Sequence, residues 1–181
     1  MLRSVALTVA RLPDIPISHF LLLQRCSDHA FRAVERSVPP FVEATPIRGQ
    51  VSLSAARNLL LSGAQAAGLI GRRTVIGFPD DDCWYPDGAL EYIVRLFAHT
   101  PDLNLWFCKY SSSPSLTVDT TRPPVTPAVR DVVRYASSNT TFVRGSVLEQ
   151  SPGFDETLGI GTANMGGEDT EFALRAYVFG G

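Results

Sequence analysis

Three consecutive carboxylates, Asp80, Asp81 and Asp82, follow a short apolar run and precede an amphipathic stretch. The run Thr74-Val75-Ile76-Gly77-Phe78 is short and partly β-branched and reads as a buried strand, which Pro79 ends. Beyond the acids, Leu90, Ile93, Val94 and Phe97 recur at i, i+3, i+4 and i+7, which predicts a helix over residues 87–98. In α/β proteins, ligands bind in the crevice outside the carboxyl ends of strands. Three like charges at such a place repel one another unless a cation or bulk water compensates them. Hard oxygen ligands on a turn suit Mg²⁺ or Mn²⁺ shared with a phosphate group. The plain alternative is a solvated acidic turn whose carboxylates favour the N-terminal end of the following helix.

Further groups carry the same double reading. Glu168-Asp169 opens the last helix after a glycine-rich stretch, 159–167. Acids in a first helical turn complement the helix dipole, while the glycines before them allow a ligand to approach the backbone. Arg57 lies near the start of another helix, either as a solvated side chain or, with Ser54 and the first-turn amides, facing a nucleotide. Trp84 directly follows the acidic turn and is either core or a platform for a sugar ring. Asn139 is a turn residue or a hydrogen-bond partner for an acceptor. Arg175, two turns on from Glu168, reads as a partner for nearby acids.

These groups have to be positioned by elements that the pattern also predicts. Residues 4–10 (SVALTVA) and 20–24 (FLLLQ) read as short strands. The connection between them is too short for a crossover helix, so they pair antiparallel or residues 21–34 are helical. Residues 37–49 read as a loop with an extended piece around 41–43. Ser54 is expected to cap a helix reaching about residue 67, stopped by Gly68. Strands are expected over 103–110 and 140–144, with a long Ser/Thr/Pro-rich loop over 111–127 between them. A helical turn follows at 146–150, and the last helix covers 168–178, closed by Gly180-Gly181. Strands alternating with helices make the fold α/β, in one domain spanning 1–181.

Bulk properties remove several function classes. The chain has 181 residues, 45% of them hydrophobic and 19% charged, with a formal net charge of −2. That balance leaves no electrostatic footprint for nucleic acid and no basic cluster for an anionic membrane. No apolar run approaches transmembrane length, and the N-terminus lacks a secretory pattern. Cys26, Cys83 and Cys108 are odd in number and far apart, with no CxxC spacing. They suggest neither a disulfide framework nor a zinc site, so a reducing, cytoplasmic setting is expected. His19, His29 and His99 have no partner at metal-ligand spacing.

Four segments in order give the chain a specific likeness: Ser54-Ala55-Ala56-Arg57-Asn58; Phe78-Pro79-Asp80-Asp81-Asp82-Cys83-Trp84-Tyr85-Pro86; Ser138-Asn139-Thr140-Thr141-Phe142-Val143-Arg144 with Gly153-Phe154-Asp155-Glu156; and Gly166-Gly167-Glu168-Asp169 with Arg175 beyond. Together they resemble the nucleotide-sugar glycosyltransferases of the GT-A fold, family-2-like, over about residue 51 to the C-terminus. The motifs are similar to that family's SAARN, DxD, SN…GFDE and GGED…R elements. The resemblance implies a GT-A (Rossmann-like) mixed sheet flanked by helices, a Mg²⁺ or Mn²⁺ cofactor, and a nucleoside-diphosphate sugar as donor, most often a UDP-sugar. It implies Asp82 and Asp80 at the metal, with Asp80 and Asp81 toward the nucleotide, and Asp169 as the base for an acceptor hydroxyl. Trp84, Asn139 and Glu168 fall on the acceptor side, and Arg57 near the nucleotide. Gln24 stands where the family often has an Asp for the nucleobase. The acceptor class stays open among glycan, lipid-linked and small-molecule hydroxyls, and a setting at the inner membrane face is compatible. The N-terminal elements are expected to be shortened, and the chain ends where many relatives continue. The rival readings are a non-catalytic GT-A-like domain binding a nucleotide or glycan, and a phosphohydrolase, for which the DDDCW segment lacks a DxDx[TV] nucleophile.

Overall fold

The computed structural model describes residues 1–110, 123–151 and 153–180. It opens with a helix, α1 (Leu2–Arg11), where the short apolar run 4–10 had suggested a strand. Val5 and Thr8 are its buried positions and Leu12 follows just beyond, a helical rather than an alternating spacing. Thr8 Oγ1 donates to the Ser4 carbonyl one turn back. A helix satisfies its backbone within the segment, so α1 needs no neighbouring strand.

Strand β1 (His19–Leu23) matches the expected run and pairs parallel with β2 (Val42–Pro46), in register from His19↔Val42 to Leu23↔Pro46. Helix α2 (Asp28–Ser37) makes the crossover between them. This corrects both sequence alternatives, antiparallel pairing of 4–10 with 20–24 and a helix over 21–34. The crossover lies after β1, not before it, and Ser27 caps it by accepting the Ala30 N–H.

Helix α3 (Leu53–Ala66) is capped by Ser52, whose Oγ accepts the Ala55 N–H, and not by Ser54. Ser54 lies inside the first turn, fully buried, and donates to the Leu158 carbonyl. Gly68 ends the helix at φ +70° as expected. Strand β3 (Val75–Gly77) then leads through the aspartates to α4 (Ala89–His99), and α1 packs against α4. Strand β4 (Leu105–Phe107) is shorter than the expected 103–110.

Most of the expected 111–127 loop, residues 111–122, lies outside the described residues. Helix α5 (Val129–Tyr135), which hydrophobic patterning did not suggest, follows and packs on α7 (Glu168–Gly180) through fully buried Val132. A 3₁₀ turn (Ser138–Thr140), strand β5 (Thr141–Arg144) and helix α6 (Gly145–Gln150) complete the order. β5 is the central strand of a three-stranded sheet, antiparallel to both β3 and β4. The described strands therefore form a two-stranded parallel sheet and a three-stranded antiparallel one, where a mixed sheet flanked by helices had been expected. The fold is mixed α/β.

The largest core cluster joins Phe78, Val143, Val147, Phe154, Phe172 and Ala176. Phe154 stacks on Phe172 at 4.4 Å, and Phe78 meets both edge-on. Arg144 is buried at the end of β5 and donates to four carbonyls, those of Leu103, Arg72, Phe97 and Thr100. It is a structural tie. Among the described residues, no helix is long and apolar enough to cross a membrane.

Candidate functional site

Arg57 stands where α3, the end of β3 and the start of α7 meet. Ser54 and Arg57 lie three apart on one face of α3, and both are buried. The Arg57 guanidinium donates through Nη1 to Asp169 Oδ1 at 2.7 Å and through Nη2 to Asp80 Oδ1 at 3.1 Å. Nη2 also donates to Ser138 Oγ at 2.6 Å. Glu168 Oε1 lies 4.0 Å from Nη1. One guanidinium thus faces three carboxylates and rests over the Phe154 ring, 5.0 Å from its centroid. The aromatic cluster below leaves it little freedom to swing.

Asp169 is held at both oxygens. Oδ2 accepts the Ser138 N–H at 2.9 Å, while Oδ1 takes Arg57. Its place in the first turn of α7 favours negative charge there. The Asp80 carboxyl is pushed above its ordinary value, first by burial, with Asp169 and Asp82 adding and Arg57 opposing. Asp80, Asp81, Asp82 and Asp169 outnumber the one guanidinium that, among the described residues, is bonded to this group of acids. Glu168 is 7% exposed. The 159–167 loop closes over it at Gly159 (φ +96°), where a Cβ would come within 3.1 Å of Glu168 Cδ.

A second set of contacts holds the frame. The Asn58 side chain accepts the Phe154 N–H at 2.8 Å and donates to the Phe154 carbonyl at 2.9 Å, clamping that residue's backbone. Arg175 pairs with Glu171, the nearby acid anticipated, and also donates to Ser151 Oγ and the Gly153 carbonyl. The Asp155 carboxyl accepts from the Thr157 backbone N–H and hydroxyl, which hold it below its ordinary value. It shapes the loop.

Of the residues singled out in the sequence, Asp80, Asp169, Glu168 and Arg57 come together. Arg57 does so as the bridge between the acidic segments, and two of the α3 first-turn amides are spent: Ala55 on Ser52 and Leu53 on the Ile160 carbonyl. Asp81 and Asp82 sit exposed on the turn. Trp84 is 43% exposed beside them. Asn139 accepts from the Ser137 hydroxyl, and Gln24, exposed at the end of β1, accepts the Val51 N–H. Ser138 and Asn58 carry site contacts that sequence reasoning did not assign, although both lie in the motif segments.

Among the described residues no three or more His, Cys, Asp or Glu side chains are gathered into a cation cage. Mg²⁺ and Mn²⁺ do not require one. Mg²⁺ in particular is usually held by one or two carboxylates, with substrate phosphates and water completing the shell. The donor set of exposed Asp82 and half-buried Asp80 fits that mode, with surplus negative charge to offset. No protein-family model, curated protein or solved structure matches the chain.

Proposed function

We propose that this protein is an inverting, metal-dependent glycosyltransferase that moves a sugar from a nucleoside-diphosphate sugar to an acceptor hydroxyl. The observation that carries this reading is the single Arg57 guanidinium bonded to both Asp80 and Asp169. Two acidic segments far apart in sequence thereby meet at one guanidinium, the proximity that leaving-group stabilisation beside a general base requires. The β1–α2–β2 crossover unit and the flanking helices support a GT-A-like frame. Three free, widely spaced thiols support a reducing, cytoplasmic setting.

In this reading Asp82 and Asp80 would hold Mg²⁺ or Mn²⁺, which would supply positive charge against that growing on the departing diphosphate. Asp169 accepts the acceptor hydroxyl's proton as that oxygen bonds to the anomeric carbon. The bond from that carbon to the diphosphate oxygen breaks, and its electron pair leaves with the nucleotide. Arg57 at Oδ1 and the Ser138 amide at Oδ2, with the Ser137 hydroxyl 3.5 Å from Oδ2, keep the Asp169 carboxylate aimed, and the second lone pair of Oδ1 takes the incoming proton.

A binding-only domain is the second reading, and the engagement of both Asp169 oxygens favours it. The two separate in one experiment. UDP binding is measured with and without Mn²⁺, and transfer or hydrolysis is followed across a panel of nucleotide sugars. Asp82→Asn is expected to weaken Mn²⁺-dependent UDP binding. Asp169→Asn is expected to spare binding and abolish transfer. Equal loss of binding in both variants contradicts the division of roles, and binding without turnover on any donor selects the second reading.

A further inference from the structure

Helix α5 presents two stripes to solvent. Val129 and Val133 lie one turn apart on one side of it, each at least half exposed. Arg130 and Arg134, also exposed, form the next stripe round the helix. The opposite position, Val132, is buried with Ala173 of α7. The Tyr177 hydroxyl donates to the Pro127 carbonyl at 3.0 Å, which brings the last turn of α7 beside the chain entering α5. Val178 and Phe179 follow there and are again at least half exposed. Side chains that line a groove are screened by its walls, so exposure on this scale belongs to a raised surface.

The charge beside these apolar groups is mostly of one sign. Lys109 joins the two arginines from the end of β4. Its ammonium lies 4.6 Å, and the Arg134 guanidinium 5.3 Å, from the centroid of the Tyr135 ring. Among the described residues none of these three cations is paired with a carboxylate. Asp131 is the one acid of α5, and it is spent at the helix start, where it accepts the Ala128 N–H at 2.9 Å. Positions 109, 130 and 134 do not read as a cluster along the chain. The approach of the end of β4 to α5 gathers them.

Such a face fits a partner that is anionic in one layer and apolar in the next. A two-fold contact with a second copy would set like charges against each other. Nucleic acid carries the charge but offers no apolar layer to the valines. Peptide helices lay their apolar faces into grooves, and this face is raised. A bilayer with anionic headgroups meets each requirement, its phosphates taking the cations while the valines and Phe179 enter between headgroups. We propose that α5 and the last turn of α7 form a docking face for an anionic lipid bilayer. Such docking requires no particular reaction at the acidic centre. It would orient that centre all the same, because Tyr135 and Ser138, whose amide holds Asp169, are three residues and so at most roughly 11 Å apart.

The test is flotation of the full chain with phosphatidylcholine vesicles, with and without about 30% phosphatidylglycerol. It is repeated with Arg130→Gln plus Arg134→Gln and with Val129→Ser plus Val133→Ser. Arg32→Gln plus Arg36→Gln makes the same charge change on exposed positions of α2. Circular dichroism checks that each variant is folded, and if one α5 variant is not, the other decides. The chain is expected to float with the anionic vesicles and not with phosphatidylcholine alone. Removing both arginines of α5 is expected to weaken partition about 25-fold, at about fivefold per cation, and changing the valines about tenfold. The α2 pair is expected to change it less than about threefold, being off the contact face and screened by salt. No flotation, equal flotation with both vesicles, a folded α5 variant that partitions like the unaltered chain, or an equal loss in the α2 variant overturns the proposal. Binding to polyglutamate without binding to vesicles overturns it in favour of an acidic protein partner.

Discussion

Replacing Arg57 with methionine keeps most of the side-chain volume on α3 and removes the only cation that, among the described residues, is bonded to both Asp80 and Asp169. Deleting one partner of a buried ion pair costs about 3–5 kcal/mol, because the remaining charge is stranded away from water. Here the stranded groups are not fully buried. The Asp80 side chain is 38% exposed and that of Asp169 is 24% exposed, so solvent screening lowers the expected loss to about 2–3 kcal/mol. For a chain of this length that is a fall in Tm of roughly 4–12 °C. The pH dependence identifies the cause. Asp80 already titrates above its ordinary value, by burial first. Without Arg57, which opposes that rise, the Asp80 carboxyl is pushed further up, so the folded variant holds its proton more tightly than the unfolded chain. The penalty is then fully present above that raised value and shrinks as pH falls toward the ordinary carboxylate range near pH 4. Urea unfolding of both proteins at about pH 7 and about pH 4.5 measures it. A deficit under about 0.5 kcal/mol at neutral pH, or one of equal size at both pH values, refutes the argument that the guanidinium is there to neutralise the two acids.

Two further variants test the frame around that site. Arg144→Met removes the donors to four main-chain carbonyls at the end of β5 and is expected to cost about 2–4 kcal/mol in chemical denaturation, since hydrogen bonds to charged groups are the stronger kind; a loss below about 1 kcal/mol contradicts it. Gly153→Ala places a Cβ 2.3 Å from Asn58 Oδ1 at a residue with φ +61°, so the strain and the broken Asn58–Phe154 clamp together cost about 2–3 kcal/mol. Combined with Asn58→Ala the loss should be well short of additive, and a double-mutant cycle showing independence breaks the link between them.

Where one residue's pattern sufficed, the sequence was a reliable guide. The strand before the aspartates and the helix after them rest on apolar spacing that no alternative packing disguises, and β3 and α4 stand at those places. Gly68 stops α3 because a left-handed residue is needed there, a property of one position. The first helix failed for the opposite reason. Val5, Thr8 and Val9 favour strand by type, and what selects helix is the surface of α4 against which Val5 and Thr8 are buried, a partner more than eighty positions along the chain. Ser54 was misassigned as the cap since Ser52 and Ser54 carry the same hydroxyl. Burial against the loop at Leu158 distinguishes them.

The acidic chemistry was legible as two local clusters, Asp80–Asp82 and Glu168-Asp169, because a carboxylate advertises itself by type. Their convergence was not. It depends on α3 presenting Arg57 between the end of β3 and the start of α7, with Ser138 delivered from the turn before β5. Residue type and short-range spacing dictate which groups exist and which elements they ride on. Distances between groups on different elements are set by core packing, which no local stretch of chain encodes.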